Sequence, residues 1–308
     1  MQVEASSGLP ELEGSRSASR GGGAIRRRRQ RRPRRGAGAP QAMAAPAAAA
    51  VQRLFEACRE VFNGAAPGAV PPPAGIERVK SVLDCITAAD VGLTPNMPYF
   101  RRVDPRGTPK ITYLHLYKCE AFSIGIFCLP SRGAIPLHNH PGMTVFSKLL
   151  FGTMHVKSYD WAAQQDTPGM IIFPKHNVLR HNLKHCLCFL FPLIIDVPLQ
   201  GSRLAKVKAD GILTAPCETS VLYPEDGGNM HCFTAQNVCA VLDVLGPPYD
   251  DGSGRHCQYY NVSSSAISVG GSMLLPGADR YELLEESEPP EGFYLVGSTY
   301  MGPRILDH

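Results

Sequence analysis

The spacing of apolar positions divides the chain into a tail, two helices and a series of strands. Residues 1–50 are mostly Gly, Ser, Ala, Pro and Arg with few large apolar side chains, so we expect a disordered tail. From Val51 onward, apolar residues recur at helical spacing until Asn63-Gly64, a typical helix end. A second segment at 76–86 has the same spacing. The sequence predicts two helices packed outside the main domain, which would span 51–308.

From about residue 111 the pattern changes to short stretches rich in β-branched and aromatic residues, separated by Gly, Pro and Asp. With 30 Gly and 27 Pro in 308 residues, the chain has too many turn residues for a mainly helical fold. No helical stretches alternate with the strands, so a parallel βαβ sheet is not expected. The sequence predicts a mainly β fold, an antiparallel barrel or sandwich, with strands over 111–117, 122–129, 144–159, 220–223 and 238–245.

The net charge of +4 is concentrated in the tail. Residues 1–50 carry 10 Arg and 3 Glu, and the remainder carries 21 basic and 24 acidic residues. Without a basic surplus, a recognition helix or an aromatic platform, the domain is not expected to bind nucleic acid directly. The Arg run at 26–35 suits a nuclear-import receptor, or is a solvated basic tail. The apolar run at 186–195 is too short to span a membrane. We expect a soluble protein of nucleus and cytoplasm.

The most specific local feature is the pair His138 and His140, which lies between Pro136 and a Pro-Gly turn. In an extended segment alternate side chains face the same side, so two imidazoles can bind one metal ion. A metal site needs a further ligand, and His231 is the candidate, because the turn at 224–230 delivers it to the start of a strand. Three histidines alone are also compatible with Zn²⁺.

These two stretches resemble the halves of the cupin metal motif. His138-x-His140 matches the first half, and Gly228-x-x-His231 matches the second. Cupins usually carry a Glu five positions after the His pair, where this chain has Val145. The resemblance implies a cupin-type antiparallel β-barrel (double-stranded β-helix) with a three-histidine site that lacks a carboxylate ligand. Such a site is similar to that of the thiol dioxygenases, which bind non-haem Fe(II).

Further stretches carry a narrower resemblance, namely residues 111–115, 122–130, 136–147, 223–233, 243–249 and 300–303. The match runs from the first helix to the C-terminus with one interruption. These stretches resemble the plant cysteine oxidases and the related cysteamine dioxygenases.

The resemblance implies an Fe(II) enzyme that adds both atoms of O₂ to the sulfur of a protein N-terminal cysteine, giving the sulfinic acid. The thiolate and the free α-amine would occupy two open iron positions and leave the third for O₂. Sulfinic acid lies beyond reversible thiol oxidation. The oxidised terminus would then be arginylated and the protein degraded through the N-degron pathway, which makes the enzyme an oxygen sensor for transcription factors in hypoxia.

The residues themselves leave two other functions open. One is a dioxygenase of small thiols such as cysteine or cysteamine, and the other is a non-catalytic metal-binding cupin. We expect a monomer.

Two residues carry over by motif position as catalytic candidates. Asp243 lies in an otherwise apolar strand, where an unpaired carboxylate is costly to bury, so we expect it to have a partner. That partner is a substrate amine or a histidine of the site, or else a structural ion pair. The Tyr249 hydroxyl either faces the pocket or caps the turn after Pro247-Pro248.

The segment at 169–196 departs from the family. It is apolar where the family usually has a polar loop. His181 and His185 would share a helix face next to two cysteines, so a second metal site is conceivable. Our preferred hypothesis is instead that this insertion is translated non-coding or alternatively spliced sequence.

Overall fold

The computed structural model describes residues 44–66, 68–162, 170–174, 193–197, 202–263 and 281–307. The first 43 residues of the predicted tail, including the Arg run, lie outside the described residues. Of the predicted insertion, only the strands at 170–174 and 193–197 are described, and the conceived second metal site lies outside the described residues. No helix in the described ranges is long and apolar enough to cross a membrane.

Two helices precede the strands, α1 (Ala44–Phe62) and α2 (Pro73–Asp84). Helix α1 begins within the predicted tail, so the predicted boundary at residue 50 is wrong by seven residues. The reason is that alanine has the highest helix propensity even though it offers little apolar surface for a core. The predicted end at Phe62 is confirmed, and Gly64 follows with φ +76°, the left-handed conformation that terminates helices.

The strands form two main sheets, as the alternation of apolar residues and turns predicts. The bounds of the described strands are β1 (Ile111–Lys118), β2 (Ser123–Leu129), β3 (Ala134–His138), β4 (Thr144–Phe151), β5 (Thr153–Trp161), β6 (Met170–Pro174), β7 (Leu193–Val197), β8 (Ser202–Thr214), β9 (Ser220–Leu222), β10 (Met230–Ala235), β11 (Cys239–Gly246), β12 (Tyr259–Val262), β13 (Tyr281–Ser287) and β14 (Leu295–Ser298). One sheet has six strands in the order β14-β1-β2-β11-β4-β9, and another six strands close into a barrel in the order β10-β3-β12-β13-β8-β5.

The mainly β, cupin-type antiparallel barrel is confirmed. Among the strands that the structure describes, two pairs depart from the antiparallel pattern. Strand β14 pairs parallel to β1, and the separate two-stranded sheet of β6 and β7 is parallel as well.

Gly152 divides what the sequence predicts as one long strand at 144–159. It has φ +99°, and a side chain there would collide with the backbone of Val238 and Cys239. The chain therefore breaks between β4 and β5. Strand β4 belongs to the six-stranded sheet and β5 to the barrel sheet, so this glycine marks a crossing from one sheet to the other.

The two helices pack on the outer face of the six-stranded sheet, as predicted. Phe55 and Phe62 of α1 contact Phe122, and Phe62 also contacts Phe146 of β4. Burying one such side chain stabilises a protein by roughly 1.5–3 kcal/mol. On β11, alternate residues face this outer core, namely Ala240, Leu242 and Val244. The opposite face of β11 points between the sheets, where the inner core and the candidate site lie.

Asp84, the last residue of helix α2, connects the helix to the sheet by hydrogen bonds and an ion pair. Asp84 Oδ1 accepts hydrogen bonds from the backbone N and the hydroxyl of Thr219, both at 2.7 Å. Lys148 of β4 lies 3.3 Å from the same oxygen, and Lys80 lies 3.0 Å from Oδ2. Burial raises the pKa of the carboxyl, but these hydrogen bonds outweigh it and hold the pKa of Asp84 well below its ordinary value.

We expect Asp84→Asn to lower the free energy of unfolding by about 1–3 kcal/mol at neutral pH, because Lys148 is nearly buried and loses its charged partner. Since the folded-state pKa is lowered, the stabilisation is present above the unfolded value of ~3.9 and is lost as pH falls below it. Urea unfolding at pH 7 and at lower pH measures both effects. Asp251→Asn removes an exposed carboxyl and is the control; an equal loss there would contradict the prediction.

Candidate metal centre

Three histidines meet at the end of strand β3. His138 is the last residue of β3 and is directly opposite His231 of β10, while His140 lies two residues beyond the strand. Their ligand nitrogens all lie within 4.8 Å of one another, and the ring centroids are 4.8–4.9 Å apart. Within the described part of the chain, this is the one cluster of three or more His, Cys, Asp or Glu that could hold a metal ion. The three residues predicted as ligands are thus brought together.

Hydrogen bonds orient the imidazole rings. Nδ1 of His138 lies 2.8 Å from the Pro136 carbonyl oxygen, and Nδ1 of His140 lies 3.1 Å from the Asn229 carbonyl oxygen. A carbonyl only accepts, so each Nδ1 carries the proton and donates it, and each Nε2 keeps a lone pair for a metal. His231 is hydrogen-bonded to the backbone of Gly228.

Burial keeps the three imidazoles neutral. Each histidine is only 3% exposed. Burial lowers the pKa of His138 to about 4 and that of His140 to about 3, and it holds the pKa of His231 well below its usual value. The neutral imidazole is the form that binds a metal, so at neutral pH the three rings need lose no proton first.

The turn before His231 requires its glycine. Gly228 has φ +86°, and a Cβ at this position would lie 2.5 Å from the Ser158 hydroxyl oxygen. Beyond the turn, the pairing of β10 with β3 shifts register between His231 and Phe233, and the Phe233 ring stacks on the His231 ring at 4.5 Å. Bulges of this kind re-aim side chains next to functional sites. The Gly-x-x-His spacing therefore has a steric basis.

The position where cupins usually carry a Glu is apolar in this chain. Val145 is fully buried in a cluster with Met143, Leu222 and Leu245. The donor set is therefore three neutral nitrogens with no carboxylate. This set fits a divalent transition ion such as iron or zinc and leaves further coordination positions for other ligands.

Asp243 lies on β11 with no ion-pair partner among the described residues. It is directly opposite Gly125 of β2 and Ser147 of β4, and it faces the space between the sheets, like Val241. Its Oδ1 has no hydrogen-bond partner in the described structure. Burial raises the pKa of Asp243 to about 7, and the adjacent Ser147 hydroxyl only partly opposes the rise. The predicted structural ion pair is thus not found in the described residues, and Oδ1 of this buried carboxyl is left without a hydrogen-bond partner there.

Tyr249 adjoins the histidines and does not cap the turn that precedes it. Its hydroxyl donates a hydrogen bond of 2.6 Å to the carbonyl oxygen of Asn139, the residue between His138 and His140. Its ring centroid lies 5.6 Å from that of His140. The hydroxyl therefore holds the loop that carries His138 and His140.

A cavity of about 340 Å³ reaches His231 from the surface. Its walls are mainly apolar, and its polar lining includes the hydroxyls of Ser147 and Ser158. Residues 209–213 of β8 form its outer rim, and most of them are exposed. A ligand in this cavity can therefore reach His231, one of the three histidines, from outside between β8 and β9.

The chain is also similar in sequence to a known protein family and to named relatives. A family model described as PCO_ADO matches residues 82–305. The chain belongs to the PCO_ADO family. Plant cysteine oxidase 1 and plant cysteine oxidase 2 of Arabidopsis thaliana are each 48% identical to it, over 269 and 260 residues. These matches cover 84% and 83% of this chain and 81% and 83% of the relatives.

A mouse member with a different name also matches nearly end to end. The 2-aminoethanethiol dioxygenase of Mus musculus is 32% identical over 268 residues, which cover 84% of this chain and 97% of that protein. The resemblance stated from the sequence is confirmed, and so is the prediction that this PCO_ADO chain is an enzyme of the thiol dioxygenase kind.

Two polar residues of this PCO_ADO site were not singled out from the sequence. Ser147 opposes Asp243 across the strand pair, and Asn229 is hydrogen-bonded to His140. The available sequence signal for Ser147 was a hydroxyl in a strand pattern, directly after the apolar residues Val145 and Phe146. Asn229 carried no such signal, because an Asn after two glycines reads as an ordinary turn residue.

We expect the metal-free protein to bind one divalent ion per chain, with Fe(II) or Co(II) as the probe, and to unfold at a higher temperature when loaded. At an ion concentration 100 times the Kd the stabilisation is about 2.7 kcal/mol. His231→Ala removes a ligand and should weaken binding by more than about 100-fold, beyond the loss typical of an outer-shell partner. Calorimetric titration measures the affinity.

His155→Ala is the matched control for this titration. His155 is partly exposed and hydrogen-bonded to Asp210, 2.7 Å away, and it is not part of the three-histidine cluster. Equal weakening in both variants would contradict the assignment of the ligands.

Proposed function

We propose that this chain is an Fe(II)-dependent dioxygenase that uses O₂ to convert the N-terminal cysteine of proteins to cysteine sulfinic acid. The observation that carries the proposal is the buried site of three neutral imidazoles without a carboxylate. It occurs in a chain that is 48% identical to a protein named plant cysteine oxidase over 84% of its length.

Iron held by the three imidazoles would supply the redox centre for the reaction between thiol and O₂. The protein contributes the electrostatic setting. Because the three histidines are neutral, an anionic thiolate bound beside them is favoured by the charge of the ion. A free cysteine terminus offers a thiol and an amine on adjacent carbons, which fits positions that the three histidines leave open.

Asp243 is the residue we assign to the substrate amine. Its carboxyl faces the space between the sheets and has an oxygen without a partner in the described structure. With a pKa raised to about 7, it can accept a hydrogen bond from an α-ammonium group, or take a proton from it, near neutral pH. An acetylated terminus has no such group. This arrangement supports a requirement for a free N-terminal cysteine.

The cavity favours a peptide over a free amino thiol as substrate. At about 340 Å³ it falls within the ~300–1,000 Å³ range of pockets that hold ligands much larger than cysteine. Its apolar walls continue to exposed residues of β8, so a chain that follows the terminal cysteine has room to leave the site.

A second candidate function is dioxygenation of a small thiol. The 2-aminoethanethiol dioxygenase of the mouse covers 84% of this chain at 32% identity. Competition between a cysteine-terminated peptide and free cysteine or 2-aminoethanethiol at equal concentration distinguishes the two functions.

The biological role extends the proposal. Oxidation to the sulfinic acid is not reversed by ordinary thiols, so it would commit the substrate to a later step. We propose that this step is arginylation and degradation, that the substrates are transcription factors of the hypoxia response, and that the enzyme acts as a monomer in nucleus and cytoplasm.

Aerobic incubation of the Fe(II)-loaded protein with a peptide that has a free N-terminal cysteine should add two oxygen atoms to the peptide. The N-acetylated peptide should stay unmodified, and His231→Ala should abolish the product because it removes a metal ligand. Mass spectrometry with ¹⁸O₂ shows whether both atoms come from O₂. If the free peptide gains no oxygen while the protein binds Fe(II), the proposal fails and a non-catalytic metal site is supported.

We expect Asp243→Asn to lower the turnover of the peptide and to raise the stability of the metal-free protein. Because the folded-state pKa is about 7 and the unfolded value is ~3.9, the native protein loses stability as pH rises from about 4 to 7, and the variant does not. The expected gain at pH 8 is on the order of 1–3 kcal/mol, and it vanishes near pH 4.

Urea unfolding at the two pH values and peptide turnover measure these effects. Asp84→Asn is the matched control and should change stability in the opposite direction. A variant destabilised at pH 8 would show that Asp243 is a structural residue.

A further inference from the structure

We propose that Asp160 and Asn229 are positioning residues that fix the orientation of His140 and His231, and so determine how tightly and in what geometry the metal is held. This inference rests on the metal site of the proposed function. It assigns roles to two buried polar residues that neither bind the metal nor face the substrate cavity.

Asn229 holds His140 by three hydrogen bonds. Its Oδ1 accepts from the His140 backbone N at 3.1 Å, and its Nδ2 donates to the His140 carbonyl oxygen at 2.8 Å. Its own carbonyl oxygen accepts from Nδ1 of the imidazole at 3.1 Å. The first two bonds fix the backbone of His140 and the third fixes its ring. Asn229 is 8% exposed, so water competes little for these groups.

The second donor of the Asn229 amide is also in use. Nδ2 donates to the Tyr223 carbonyl oxygen at 2.8 Å, which ties the start of the turn to its end. The amide therefore has a partner for its oxygen and for both of its N–H groups. A side chain with a single polar atom cannot make this set of bonds.

Asp160 holds the turn from the other side. It is the second-to-last residue of β5 and is 6% exposed. Its Oδ1 accepts from the backbone N of Gly228 at 2.9 Å and from that of Asn229 at 3.1 Å. Hydrogen bonds from backbone N–H groups to an ionised carboxylate are about twice as strong as neutral ones.

The turn held by Asp160 reaches two of the three ligands. Through Asn229 it fixes His140, and through the backbone of Gly228 it is hydrogen-bonded to His231. His138 is held by the carbonyl of Pro136 on its own strand and also contacts the backbone of His231. Loss of Asp160 or Asn229 should therefore loosen His140 and His231 directly and affect His138 least.

On the outer side, Lys208 partly compensates the charge of Asp160. Its Nζ lies 3.4 Å from Asp160 Oδ2 and 2.6 Å from Asp226 Oδ1. The carboxylate thus connects an ion pair at the surface to the backbone of the metal-site turn.

The test is titration of the metal-free protein with Co(II) alone, followed by the visible absorption of the bound ion. We expect Asn229→Ala and Asp160→Ala to weaken Co(II) binding by about 10- to 100-fold and to change the position or intensity of the visible bands. Asp160→Asn keeps an oxygen that accepts both backbone bonds, so it should retain an affinity within about threefold of the wild type and a wild-type spectrum.

Asp84→Asn is the matched control, since Asp84 is also a carboxylate that accepts a backbone hydrogen bond, but far from the histidines in the sequence and in a different network. It should lower the unfolding midpoint and leave the Co(II) affinity and spectrum unchanged. A spectral change of the same kind in Asp84→Asn would show a general effect of destabilisation and would overturn the inference.

Wild-type affinity and spectrum in both alanine variants would also overturn it, as would a wild-type protein that binds no Co(II). Because the readout involves no thiol, it separates this inference from the proposed reaction. If Co(II) binding behaves as expected but no peptide is oxidised, the proposed function fails while the positioning roles stand.

Discussion

The structure depends on keeping three imidazole rings uncharged and close together in a place that water hardly reaches. Bringing the ring centroids to within 5 Å would be unfavourable if the rings were protonated, and burial removes that possibility. The backbone then sets which nitrogen carries the proton. The carbonyl oxygens of Pro136 and Asn229 accept hydrogen bonds from Nδ1 of His138 and of His140, so the free lone pair of each ring is on Nε2. The cupin-type barrel supplies the short segments that can meet in this way.

The carboxyl groups of Asp84 and Asp243 lie on opposite sides of the six-stranded sheet and differ in their hydrogen-bond partners. On the outer side, Asp84 has two hydrogen bonds from Thr219 and two lysine partners, and it stabilises the attachment of α2. On the inner side, Asp243 Oδ1 and the Ser147 hydroxyl lack hydrogen-bond partners among the described residues. Unpaired buried groups reduce stability and are found where a protein binds something. The two carboxylates thus differ: Asp84 is paired at both oxygens and supports the fold, whereas Asp243 has an oxygen without a partner in the described residues.

Much of the fold and of the site was predictable, because it depends on local spacing. The His-x-His pair, the Gly-x-x-His turn and the end of α1 each follow from geometry within a few residues. The start of α1 was misplaced, because alanine favours a helix without contributing a core. The break at Gly152 was missed, because apolar residues continue on both sides of it.

Other parts of the site depend on contacts between segments that are distant in the sequence. The bonds from Asp160 and His140 to Asn229 connect residues that are 69 and 89 positions apart. The Tyr249 hydroxyl reaches a carbonyl 110 positions away. A single sequence does not reveal which of its many polar residues are joined in this way.

Strand β11 has consequences for how this family can change over time. Leu242 and Val244 contact the helices, and Asp243 between them points to the opposite side, toward the site. A replacement in α1 or α2 that shifts the outer core by a fraction of an ångström also moves the backbone that carries this carboxyl. Helix packing and the carboxyl that we assign to the substrate amine therefore share one strand. Natural variation in the helices should be constrained by chemistry on the far side of the sheet, and divergent members should alter both faces of β11 together.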